Sequence, residues 1–214
     1  MISFSLFNIP VRVLPWFWIT LALIGVLLND QADSKESVLR ILLFMVAGFI
    51  SILVHELGHA LTAKHFGKKV YIVLQTFGGY AAYSGGAPLS RTQSFLITAA
   101  GPAIQILLAI LVLILSISLG EIEPQAAYFL GILIWISFAW AILNLLPVLP
   151  LDGGRLLETV LGPNRIQLTL KICIGVAAAI AFLSLMLKPG FMLPIFMGFM
   201  AYENYKALKQ VSWR

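Results

Sequence analysis

The sequence predicts an all-α polytopic membrane protein of about six transmembrane helices, with a short membrane-associated β hairpin or sheet between the second and third. Three observations lead there. The 214 residues are 60% hydrophobic and 11% charged, whereas soluble domains carry roughly 45–50% apolar and about 25% charged residues. Apolar runs recur along the whole chain at lengths near the ~20 residues that cross a bilayer as a helix. Between the second and third runs, residues 64–91 turn β-prone and glycine-rich. No polar stretch is long enough for a second soluble domain, so one domain over 1–214 is expected.

Residues 1–12 alternate loosely at Ile9, Val11 and Val13, which suggests a short strand or an interfacial segment ending near Pro10. Trp16, Phe17 and Trp18 suit a membrane interface. A first, short span is expected over 13–28, then a polar connection over 29–36, with Ser37 as a helix cap. The second helix should run over 38–63. Arg12 precedes an apolar run with no small-residue cleavage pattern after it, so the first span reads as retained.

Within 64–91, the run Val70-Tyr-Ile-Val-Leu is β-prone, and the pairs Gly78-Gly79 and Gly85-Gly86 mark turns. An ordinary loop hairpin outside the membrane is the alternative to a re-entrant sheet near the site; in the latter, an exposed edge in 70–83 can hold an extended peptide by strand addition. The third span follows over 94–119, and its small-residue start, Ala99-Ala-Gly-Pro-Ala103, permits close helix contact. Further spans are expected over 126–146, 168–187 and 191–205.

The formal net charge of +5 is distributed among short connections. That pattern orients a membrane protein and gives no reason to expect nucleic acid. With the N-terminus in the cytosol, eleven basic residues fall on the cytosolic side and only Lys35, Arg40 and Lys188 outside. Both termini are therefore expected in the cytosol. The single cysteine, Cys173, excludes an intrachain disulfide and a cysteine-based metal site.

One stretch carries chemistry. His55 and His59 stand four apart in an apolar helix, so they share a face one turn apart, with Glu56 beside them. Two imidazoles at that spacing can chelate zinc, and the adjacent carboxylate can take a proton from an attacking water. His55 lies about 20 Å along the helix from Ile41, within a hydrocarbon layer of about 30 Å, nearer the cytosolic face. Ionisable groups at such depth usually mark function.

A catalytic zinc normally has a third protein ligand. His65 lies past the expected end of the helix and on another face. Asp152 is the better candidate. It follows the fourth span in Asn144-Leu-Leu-Pro-Val-Leu-Pro-Leu-Asp152-Gly-Gly-Arg155, where prolines break the helix and glycines allow close backbone approach. An exposed helix cap is the alternative for Asp152. Asn144 either bonds between helices or donates to a substrate carbonyl oxygen. Arg155 can snorkel to headgroups.

With these residues the chain resembles the site-2 proteases, a family of intramembrane zinc metalloproteases. The likeness rests on His55-Glu-Leu-Gly-His59 and on Asn144-Leu-Leu-Pro147 leading to Leu151-Asp152-Gly153. Phe77-Gly78-Gly79 and Ala100-Gly-Pro-Ala103 support it. The resemblance implies one catalytic Zn²⁺ held by His55, His59 and Asp152, Glu56 as general base and acid, and Asn144 near the scissile peptide. It also implies transmembrane protein or peptide substrates within a lipid bilayer, and leaves room for a regulatory membrane protein. Neither the inserted peptide-binding domain nor the appended nucleotide-binding pair of some members is present, so the compact form is expected. Short loops favour a prokaryotic cell membrane. A zinc or divalent-metal transporter is the rival reading, and a silent membrane adaptor a second. No internal repeat is evident, and the candidate ligands form one cluster, which is little for a transport path. Oligomeric state stays open.

Overall fold

A computed structural model of the chain describes residues 1–28, 35–76, 78–187 and 190–212. Residues 29–34 of the expected polar connection, Phe77, Lys188 and Arg214 lie outside the described residues.

Strands β1 (Ile2–Leu6) and β2 (Ile9–Val13) open the chain, followed by helices α1 (Pro15–Leu27) and α2 (Lys35–His65). Strands β3 (Lys69–Gln75) and β4 (Gly78–Ser84) come next, then α3 (Arg91–Leu119) and α4 (Pro124–Leu145). The short α5 (Asp152–Leu161), a 3-10 turn at Pro163–Arg165, α6 (Ile166–Leu187) and α7 (Met192–Ser212) complete it. Among the described residues four helical segments are long and apolar enough to cross a membrane: Lys35–His65, Arg91–Leu119, Pro124–Leu145 and Pro163–Leu187. Their side chains are apolar on the outside as well. On α3, Leu111, Ile114 and Ile117 are more than half exposed, a surface suited to lipid. The 13-residue α1 rises only about 20 Å, short of a 30 Å hydrocarbon layer.

The sheet takes in more than the hairpin or short sheet expected between the second and third helices, because β1 and β2 join it. Its order is β1-β2-β3-β4, antiparallel except for a parallel β2–β3 pair. Residues 1–12, read as one strand or an interfacial segment, instead form a two-residue hairpin. Phe7 and Asn8 both have positive φ, 51° and 58°, as the tight hairpin turns that match strand twist require. In β2 the alternation holds: Ile9, Val11 and Val13 are buried, Pro10 and Arg12 exposed. Because β3 is bonded on both sides, the open edge of the 70–83 region belongs, among the described residues, to β4.

The chain divides into two compact units. The first holds Met1–Leu89 and Ala100–Ala141. Its core joins Ile9, Val11, Ile72 and Leu74 of the sheet to Phe17, Phe44, Ile52, Leu57 and Leu133. Phe17, expected at the membrane interface, is only 1% exposed and belongs to this core, whereas Trp16 is exposed. Phe17 follows the outward Trp16 around the helix and so faces the sheet. Ser37, expected as a cap, already lies within α2 and is buried.

The second unit holds Ser90–Ala99 and Ile142–Arg214. Val148, Ala177 and Met200 form its buried core, with Leu146, Leu151 and Phe196 packed on them. Residues 152–161, outside the expected spans, form the helix α5. The Arg91 guanidinium donates to the carbonyls of Thr159 and Val160 at its end, at 2.8 and 2.9 Å, which satisfies carbonyls with no partner inside the helix.

Candidate metal centre

α2 runs through Leu-, Ile- and Ala-rich sequence with no proline, and its 31 residues rise about 46 Å. Its far half is buried from Ser51 to Ala60 almost without interruption. His55 is 3% exposed, Glu56 5% and His59 9%. The i, i+4 spacing brings the two Nε2 atoms to 3.1 Å, with the rings edge to face at 4.7 Å. Two ligand nitrogens about 2.0–2.1 Å from one tetrahedral zinc stand roughly 3.3–3.4 Å apart, so this pair fits that ion.

His55 is held from behind. Its Nδ1 lies 2.9 Å from Gln105 Oε1. That oxygen only accepts, so Nδ1 carries the proton and Nε2 keeps its lone pair for a metal. The Gln105 amide nitrogen donates to Ser51 Oγ at 2.8 Å and to the Ser51 carbonyl at 3.4 Å. Ser51 Oγ lies 2.9 Å from Ser137 Oγ. Gln105, Ser51 and Ser137 are all 0% exposed.

Glycines make room around these side chains. A Cβ on Gly101 would overlap the His59 imidazole. One on Gly79 would stand 2.9 Å from Glu56 Cγ and 3.1 Å from its Oε1. One on Gly58 would meet the Ala100 carbonyl oxygen at 2.5 Å. The small-residue start of the third span therefore does serve a close crossing of α2 and α3. The first residues of β4 lie against Glu56, which ties the sheet to the carboxylate. His65 is exposed at the last residue of α2, its ring against Phe66.

Within the second unit, Asp152 is the first residue of α5 and 8% exposed. Its carboxylate is therefore buried and lies at the positive end of a helix dipole; the exposed-cap alternative does not hold. Cβ atoms on Gly153 and Gly154 would collide with the backbone of Leu145–Leu146 and Val148–Leu149 respectively, so the chain before α5 folds tightly over its first turn. Leu149–Pro150 is cis. Asn204 of α7, 3% exposed, donates to the Leu149 carbonyl at 2.7 Å and to that of Met200 at 2.8 Å. Asn144 is half-buried in the last turn of α4, and Arg155 is exposed.

Residue spacing does not single out Gln105, Ser51, Ser137 or Asn204. For Gln105 a signal existed, since it is the sole polar residue in 99–115. A lone amide in an apolar span needs a partner, and the partner was not legible.

Comparison with known proteins places these residues in context. The family model described as peptidase family M50 matches residues 43–122 and 120–187. A putative zinc metalloprotease of Synechocystis sp. is 32% identical over 163 residues, covering 73% of this chain and 42% of that protein. A zinc metalloprotease of Methanocaldococcus jannaschii is 28% identical over 185 residues, covering 86% of this chain and 52% of that one. The chain thus spans about half the length of these relatives. Among solved structures, the site-2 protease from Methanocaldococcus jannaschii superposes with a TM-score of 0.65 at 25% identity, covering 97% of this chain and 94% of that chain.

Proposed function

The chain belongs to peptidase family M50, and from that membership we propose that it is a zinc-dependent endopeptidase that cuts peptide bonds within or near transmembrane segments of other membrane proteins. One protease domain spans 1–214, and His55, His59 and Asp152 are the residues that would hold one zinc ion. The observation that carries the reading is the pair of Nε2 atoms 3.1 Å apart, beside a buried Glu56, in an apolar helix. When bound, zinc supplies the Lewis acidity that polarises a peptide carbonyl and lets water attack near neutral pH. Glu56 accepts the proton of the attacking water and returns it to the leaving amine. Asn144 donates its amide N–H to the scissile carbonyl oxygen as charge builds there.

A transmembrane helix hides its peptide groups in its own hydrogen bonds, so the substrate must unwind before it is cut. The open edge of β4 receives the unwound segment, and Gly79 beside Glu56 sets where that strand passes. Neighbouring residues of an edge strand turn their N–H groups alternately inward and outward. Of Ala81→Pro and Ala82→Pro, the one that removes an outward N–H should keep the fold and lose cleavage. Full cleavage by both variants would end the strand-addition idea.

With six spans, α1 to α4, α6 and α7, of which the 13-residue α1 is shorter than the hydrocarbon layer, both termini and the opening of the site lie in the cytosol of a prokaryotic cell. The eleven-to-three distribution of basic residues supports this. A C-terminal reporter that works only outside the cytosol should stay silent, and a strong signal would invert the topology.

Purified protein with a transmembrane peptide, assayed with and without a zinc chelator, tests the function. Cleavage that the chelator stops and zinc restores is expected. Metal flux in vesicles without cleavage would assign a transporter instead, and neither activity would leave an adaptor.

A further inference from the structure

Three side chains that the proposed reaction does not touch are buried in one continuous hydrogen-bonded line. Ser137 of α4 meets Ser51 of α2, Ser51 meets Gln105 of α3, and Gln105 meets His55. Each of the three is 0% exposed, and all belong to the first unit. A buried amide or hydroxyl is costly unless bonded, and here every link ends on another until the line reaches a proposed metal ligand.

The polarity of the line is set at Ser51. The Ser51 carbonyl can only accept, so the nitrogen of the Gln105 amide must face it. That leaves Gln105 Oε1 facing His55 Nδ1 at 2.9 Å. A neutral imidazole has one N–H, and an acceptor at Nδ1 claims it. The lone pair is then confined to Nε2, the atom turned toward His59 Nε2. With the opposite amide orientation, two donors would compete at Nδ1, and the proton would be driven to Nε2, where it blocks a metal bond.

We infer that Gln105 is a positioning residue that fixes the tautomer and ring orientation of His55 for metal binding, with its amide turned the right way round by the Ser51 carbonyl. The inference rests on the zinc assignment proposed above. A residue that merely joined α3 to α2 would affect stability and leave metal affinity alone. A hydrogen-bond partner of a ligating histidine typically changes affinity by about 10- to 100-fold when removed.

The test is zinc affinity of the full chain in detergent, measured by competition with a chromogenic chelator, alongside thermal melting. Gln105→Met, close in shape but without the acceptor, should bind zinc about 10- to 100-fold more weakly. Gln105→Glu, which restores an acceptor to Nδ1, should bind at least as tightly as the parent. Should Gln105→Met not fold, Gln105→Leu, which also lacks the acceptor, carries the same test, with the same expected loss of about 10- to 100-fold. Parental affinity in the folded Met or Leu variant would overturn the inference, and so would equal losses in Met and Glu, which would mark Gln105 as packing between helices. If the parent itself bound no zinc, the zinc assignment would fall and this inference with it. Zinc binding by the parent with no response to Gln105 would sink the inference alone.

Discussion

Glu56→Gln should keep zinc and lose peptide cleavage. The amide has the size and shape of the carboxylate, so it fits the space that Gly79 leaves beside Glu56 Cγ and Oε1. What it lacks is a site for the proton of the attacking water. General acid–base groups contribute about 10²- to 10⁴-fold to rate, and Glu56 is asked to act twice in one turnover. A fall of at least 10²-fold in kcat, with zinc affinity within a few-fold of the parent, is therefore expected. The measurement pairs single-turnover cleavage with chelator competition. Cleavage within tenfold of the parent would remove Glu56 from proton transfer. Joint loss of zinc and activity would make it a structural carboxylate of α2.

Asp152→Asn should bind zinc far more weakly. The change keeps the size of the side chain at the start of α5, where Gly153 and Gly154 lie against residues 145–149. It removes the negative charge, which is the main contribution a carboxylate makes to a divalent ion. The expected loss exceeds the roughly 10- to 100-fold that follows removal of a ligand's hydrogen-bond partner. Asp152→Ala should lose as much or more. Because α5 carries Asp152 in its first turn, circular dichroism of both variants must match the parent. An unchanged zinc affinity in correctly folded Asp152→Asn would leave the third ligand to another residue.

Several features were legible along the chain because the information is local. The long second helix, the pairing of its histidines and the tight chain after the fourth span follow from residue spacing and from proline and glycine positions. The buried alternation of Ile9, Val11 and Val13 was legible too. The hairpin before it was not, because Phe7-Asn8 contains no glycine to signal two successive positive φ values. Nor was the parallel β2–β3 pair, which joins strands separated by two helices. Phe17 looked interfacial beside two tryptophans, and only the position of the sheet turned it into core.

Residue order alone determined the membrane character, the helix that carries His55, Glu56 and His59, and the chemistry those side chains can perform. It also singled out Asp152 as a candidate. Tertiary structure decided that Asp152 is buried, that β4 is the open edge beside Glu56, and that His55 is backed by Gln105, Ser51 and Ser137. The physical reason is range. Helical periodicity is complete within a turn or two, while the hydrogen bonds behind His55 join residues 50, 54 and 86 positions apart. A buried polar side chain announces that it needs a partner, but packing alone selects which one.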